Sequence, residues 1–151
     1  MQGKHVAALS LAAGAVLILS GCQKPAPAIT VWSGTTSVDQ PALCWAFDSE
    51  SLSPGECAEE IITGSVSTGV EQIEAEAGNT VGISVDTAVA ESGWFLKIGG
   101  QTVNQEPLTG TYFRFTFPMG MPKNGMPMQV VAGNSGNVRG IWLVRLVPSG
   151  A

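Results

Sequence analysis

From Ala28 onward the apolar positions recur with a period of two, and the runs are separated by Gly, Asn and Pro. The clearest run is Thr111 to Phe117, in which Phe113, Phe115 and Phe117 alternate with Tyr112, Arg114 and Thr116. Such alternation predicts a strand with one face in a core. Val81, Ile83 and Val85 alternate with Gly82 and Ser84. Trp94, Leu96 and Ile98 alternate with Phe95 and Lys97, and Gly99-Gly100 then predicts a hairpin turn into Gln101 to Asn104. Further strands are expected over Ile29 to Ser33, Leu43 to Phe47, Val70 to Glu76, Met128 to Ala132 and Ile141 to Val147. The last is apolar on both faces apart from Arg145, the pattern of a strand covered on both sides. Helix is expected only as one turn over Ala88 to Glu91, capped by Asp86 and ended by Gly93. Together these elements predict an all-β, two-sheet immunoglobulin-like (Greek-key) sandwich over residues 28–151, although a barrel shares the pattern. Trp32, Trp45, Trp94 and Trp142 fall within strand patterns and are expected to pack in the core.

The first residues follow a different rule. Val6 to Leu19 is an apolar run broken only by Ser10 and Gly14, preceded by Lys4 and followed by small residues. It reads as a secretory signal over residues 1–21, too short to span a bilayer. Its end, Leu19-Ser20-Gly21-Cys22, has the form of a bacterial lipobox, in which the Cys22 thiol takes a diacylglycerol. Residues 22–27 then form a lipidated cysteine and a Pro-rich tether. Two or more acyl chains, at about 0.8 kcal/mol per buried methylene, give a stable anchor. The expected location is the outer side of the cytoplasmic membrane, held by lipid. With Cys22 consumed, Cys44 and Cys57 are an even pair in an oxidising compartment, separated by a segment containing Ser53-Pro54-Gly55, and a disulfide is expected.

Composition narrows the chemistry. Charged residues make up 13% of the 151, against about 25% in an ordinary soluble domain, and nothing in the chain suggests nucleic-acid binding. The only histidine, His5, falls in the signal segment, so the mature chain lacks the usual general base. No Gly-x-Ser-x-Gly elbow, Walker loop or Cys-x-x-Cys occurs. Between Lys24 and Lys97 there are eleven carboxylates and no Lys or Arg, while Lys97, Arg114, Lys123, Arg139 and Arg145 follow with Glu106 alone. Strands from the two halves interleave in a sandwich, so cross-strand charge pairing is expected, with an acidic face for cations or a basic partner as the alternative. Asp48, Glu50, Glu56, Glu59 and Glu60 crowd the segment around the cysteine pair without matching a calcium loop.

Pro118 to Met128 carries Met119, Met121, Met126 and Met128, all the methionines of the mature chain. Thioether sulfur suits Cu(I), but it also suits an adaptable apolar loop, and the latter is expected.

The lipobox with Cys22, Lys24-Pro25, Ile29-Thr30-Val31 before Ser37-Val38, and the Cys44 and Cys57 pair carry a resemblance. So do Val81 to Val85 with Asp86, Ala90-Glu91-Ser92-Gly93-Trp94, Gly100-Gln101, Thr111-Tyr112 and Gly140-Ile141-Trp142. Together they resemble small actinobacterial lipoproteins of uncharacterised role. The resemblance implies an extracytoplasmic sandwich and supplies no catalytic residue; the Met-rich segment departs from it. The expectation is therefore a non-catalytic binding or interaction module without cofactor, anchored to the membrane and meeting an envelope protein or small ligand. The alternative is an extracellular Cu(I) protein using Met119, Met121, Met126 and Met128. A carboxylate-based glycan hydrolase is a third reading.

Overall fold

The period-two runs form strands that stack as two sheets in the computed structural model, which describes residues 24–134 and 136–150. The signal segment, the lipobox and Cys22 lie outside the described residues. One sheet has four antiparallel strands: β1 (Ala28–Ser33), β2 (Thr36–Pro41), β5 (Thr80–Val85) and β8 (Tyr112–Thr116), in the order β2-β1-β5-β8. The other has six: β3 (Cys44–Trp45), β4 (Glu71–Ala75), β6 (Trp94–Ile98), β7 (Gln101–Thr102), β9 (Met126–Asn134) and β10 (Asn137–Pro148), ordered β3-β10-β9-β6-β7. β4 also lies on β10, and this pair is parallel. Neighbours such as β1 and β5, or β3 and β10, are distant in sequence, so the chain crosses repeatedly between the sheets. The chain is thus an all-β sandwich with one disulfide, Cys44 to Cys57, whose Cα atoms are 5.7 Å apart.

The core lies between the sheets, where the inward members of each alternation meet. Ile29, Val31, Val81 and Ile83 face Leu96, Met128, Val130 and Val144, with Trp94, Trp142 and Phe117 the largest fully buried side chains. The Gly99-Gly100 turn joins β6 to β7 with both φ angles positive, which glycine adopts without steric cost. The one expected helical turn is α2 (Thr87–Ser92), whose N-cap Asp86 accepts the Ala88 N–H at 2.8 Å and whose end is Gly93 at φ 71°.

Two elements escape the pattern. β2 is polar except for Val38 and the terminal Pro41, as befits an edge strand, and follows a turn at Gly34. A second short helix, α1 (Glu59–Ile62), follows the disulfide. Three amides then stand in for missing backbone partners. Buried Gln40 donates to the Gly69 carbonyl and accepts the Glu71 N–H at 2.8 Å, joining β2 to the start of β4. Gln129, also buried, donates to the carbonyls of Ile61 and Ile62 and so fastens the end of α1 to β9. Asn104 accepts the Leu96 N–H beyond the short β7.

The two-sided apolarity of β10 has a direct cause. Trp142, Val144 and Leu146 enter the main core, whereas Ile141 packs on the other face with Cys44, Cys57, Leu52 and Ile61. The segment closed by the disulfide, together with α1 and the turn after it, is therefore a lobe laid over the outer face of the six-stranded sheet. Its backbone is tied down as well: Leu52 N–H donates to Val138 and Ala46 N–H to Arg139.

Candidate functional site

The register of β9 and β10 slips at Val138-Arg139-Gly140, so that Arg139 is an extra residue in its strand. Such a bulge re-aims the side chain it carries. Here the Arg139 guanidinium lies 4.7 Å from the centre of the Trp45 ring, a cation–π distance. Its Nη1 donates to the Oγ of Ser92, the last residue of α2, at 3.0 Å, and that hydroxyl in turn donates to the Ala88 carbonyl in the first turn. Arg139 Nε is buried and, among the described residues, meets no acceptor.

Gly140 makes the adjoining contact possible. A Cβ there would sit 2.5 Å from the Trp45 ring and 2.9 Å from that of Trp142. With glycine in place the two indoles approach to 5.7 Å between centres. Trp142 Nε1–H then donates to the Pro27 carbonyl at 2.8 Å, pinning the end of the Pro-rich segment against the six-stranded sheet. Between this segment and the bulge lies a cleft of about 870 Å³, lined by Lys24 to Ala28, Trp45, Phe47, Asp48, Asp86 and Arg139. Phe47 is 43% exposed at its edge. The cleft combines aromatic surface, from Trp45 and Phe47, with charges of both signs, the ingredients of a recognition site for a small polar ligand.

The residues singled out from sequence are distributed as follows. Cys22 lies outside the described residues, and Cys44 and Cys57 are joined and nearly buried. Met128 is fully buried in the main core, Met121 packs against that core, Met126 lies against Gly99, and Met119 is 78% exposed. Glu56 accepts the Ser53 N–H within its own loop, and Glu59 and Glu60 occupy the first turn of α1. Among the described residues no three His, Cys, Asp or Glu side chains are grouped to hold a metal ion. The expected pairing of acids with bases is not what the two arginines of β10 do: Arg139 bonds to Ser92 and Arg145 to the Asn124 carbonyl.

One expectation is corrected. Trp94 and Trp142 are core residues and Trp45 packs at the edge of the core, but Trp32 points away from it. Its neighbours Val31 and Ser33 take the inward positions of β1, so the alternation puts the indole on the outer face of the four-stranded sheet. Arg139 was not legible as a site residue, because a bulge leaves no mark on the hydrophobic pattern; the adjacent Gly140 between two tryptophan-bearing strands was its only signal. No family model, curated protein or solved structure matches the chain. The functional reading rests on the geometry of the molecule.

Proposed function

We propose that the protein is a non-catalytic binding module of the bacterial envelope, lipid-anchored through Cys22 on the outer side of the membrane, as in the small lipoproteins that its sequence resembles. The observation that carries the reading is the cleft at the bulge, with Arg139 held over Trp45. Arg139 lines the cleft, and a ligand bearing a carbonyl, carboxylate or phosphate oxygen there meets a guanidinium already fixed in place by Trp45 and Ser92. Support for the anchored geometry comes from the pinned Pro27 carbonyl. Pro27 is five residue steps from Cys22, which at roughly 3.5 Å each puts it at most about 18 Å from the acylated cysteine. A ligand in this cleft is met at the membrane surface, whether it is a small molecule or a segment of a neighbouring envelope protein. The absence of histidine from the mature sequence fits binding better than acid–base catalysis.

The test is photo-cross-linking on intact cells from a benzophenone amino acid placed at Phe47, with the exposed turn residue Glu76 as the control position. A species captured from position 47, lost in Arg139→Leu and absent from position 76, is the expected result. Equal capture from both positions, or capture indifferent to Arg139, contradicts the assignment. Membrane fractionation of Cys22→Ala tests the anchor separately: the variant should be unprocessed or released, and a normally processed, membrane-bound variant refutes lipidation.

A further inference from the structure

The outer face of the four-stranded sheet carries an aromatic surface built differently from the cleft. Trp32 on β1 lies opposite Gly82 on β5, and Gly82 lies opposite Arg114 on β8. The indole rests on the bare glycine backbone: a Cβ at Gly82 would sit 2.2 Å from Trp32 Cε2 and 2.3 Å from Cζ2. A flat seat of this kind is one reason for glycine in the middle of a strand. Tyr112, 47% exposed and the only tyrosine of the chain, is nearly parallel to the indole, with 10° between the planes and 6.2 Å between ring centres. The neighbouring cross-strand row is polar, running from Asp39 through Thr30 and Ser84 to Tyr112. Thr30 Oγ1 is already oriented by Asp39, at 2.5 Å.

Two near-parallel ring faces on a rigid sheet, bordered by hydroxyls and charge, match one chemical class. A pyranose ring offers a face of C–H groups, weakly positive, which lies on the negative face of an aromatic ring, while its hydroxyls reach sideways to polar groups. Arg114 is the only Lys or Arg in the four strands of this sheet and is exposed beside the rings. In a chain of formal net charge −5 it is a local inversion of sign, complementary to a carboxylate. We infer that the Trp32–Tyr112 surface with Arg114 binds a glycan of pyranose rings bearing carboxylate groups. The inference deepens the binding-module reading by naming a ligand class and a second surface. Binding by purified protein is independent of where the chain is anchored, so fractionation or cleft cross-linking can fail while this result stands, and the reverse.

The test is calorimetric titration of the purified full chain in detergent with a hyaluronan hexasaccharide, which alternates carboxylate-bearing and N-acetylated pyranoses, and with the neutral N-acetylglucosamine hexamer. Saturable binding that favours the acidic oligosaccharide is expected. Tyr112→Ala should weaken it roughly tenfold by removing one ring. Gly82→Ala, which keeps every aromatic residue but lifts the indole from its seat, should weaken it by a similar factor with the thermal midpoint retained. Arg114→Gln should erase the preference for the acidic oligosaccharide and leave the neutral one unchanged. The inference is overturned if neither oligosaccharide binds saturably, if binding survives Gly82→Ala and Tyr112→Ala, or if the neutral hexamer binds the native chain as tightly as the acidic one.

Discussion

The two outer faces of the sandwich are built from the same alternation and end in opposite conditions. On the six-stranded sheet the outward residue Ile141 is 3% exposed beneath the disulfide lobe, and Leu143, 1% exposed, lies within contact distance of Gly64, just beyond α1. On the four-stranded sheet the outward residues include Thr30, Trp32, Ser84, Tyr112, Arg114 and Thr116, and among the described residues no element covers Tyr112, Arg114 or Thr116. The difference shows that the described residues cover one outer face of the sandwich and leave the other open. A polar strand face needs no cover, whereas β10, apolar on both sides, does.

The sharpest way to break the comparison is to place a charge on each face. Leu143→Asp should cost about 4 kcal/mol or more, because the carboxylate is buried under the lobe without a partner. Thr116→Asp, on the open face, should change stability by no more than about 0.5 kcal/mol. Urea unfolding of the purified protein measures both, and equal costs would erase the distinction. Next in size, Cys44→Ala with Cys57→Ala removes the bridge that closes the lobe, with an expected loss of about 3 kcal/mol. The same bridge predicts that native protein shows no reactive thiol from Cys44 or Cys57 until it is unfolded and reduced, which a thiol-labelling assay reads directly.

A smaller effect is expected where the lobe is held by one side chain. Gln129→Ala removes the donor to Ile61 and Ile62 and leaves their carbonyls facing β9, at a cost of about 1–2 kcal/mol. Urea unfolding reads this too; a cost below about 0.3 kcal/mol would mean that the lobe is held by its apolar contacts and the disulfide alone.

How far these features were legible depends on whether they leave a periodic trace. β5, β6, β8 and β10 carry strong alternation or strong apolarity, and α2 carries its cap and its glycine, so the sandwich is readable from the chain. β2 is not, because an edge strand with one inward apolar residue, Val38, resembles a loop. The covering of β10 was readable but its agent was not, since Leu52 and Ile61 are isolated apolar residues in a polar segment, given a partner only by the fold. Trp32 departs from the expectation because tryptophan within a strand is usually inward. The parity of β1 was the available correction: Ile29, Val31 and Ser33 take the inward positions, leaving even-numbered residues outside. Arg139 depends on a bulge and the Met-rich segment on which side of β9 its residues fall; neither is set by local sequence alone.

Amide hydrogen exchange, compared between the native protein and the Cys44→Ala, Cys57→Ala variant, tests the two-faced construction most directly. The amides of Leu52, Ile62 and Thr63, all bonded within or beneath the lobe, should fall close to unfolded exchange rates in the variant. Those of Val31, Ile83 and Phe113 should keep strong protection, reduced only by the global loss of about 3 kcal/mol. Lobe amides that stay as protected as the four-stranded sheet would contradict the account, as would a loss that brings both regions down together.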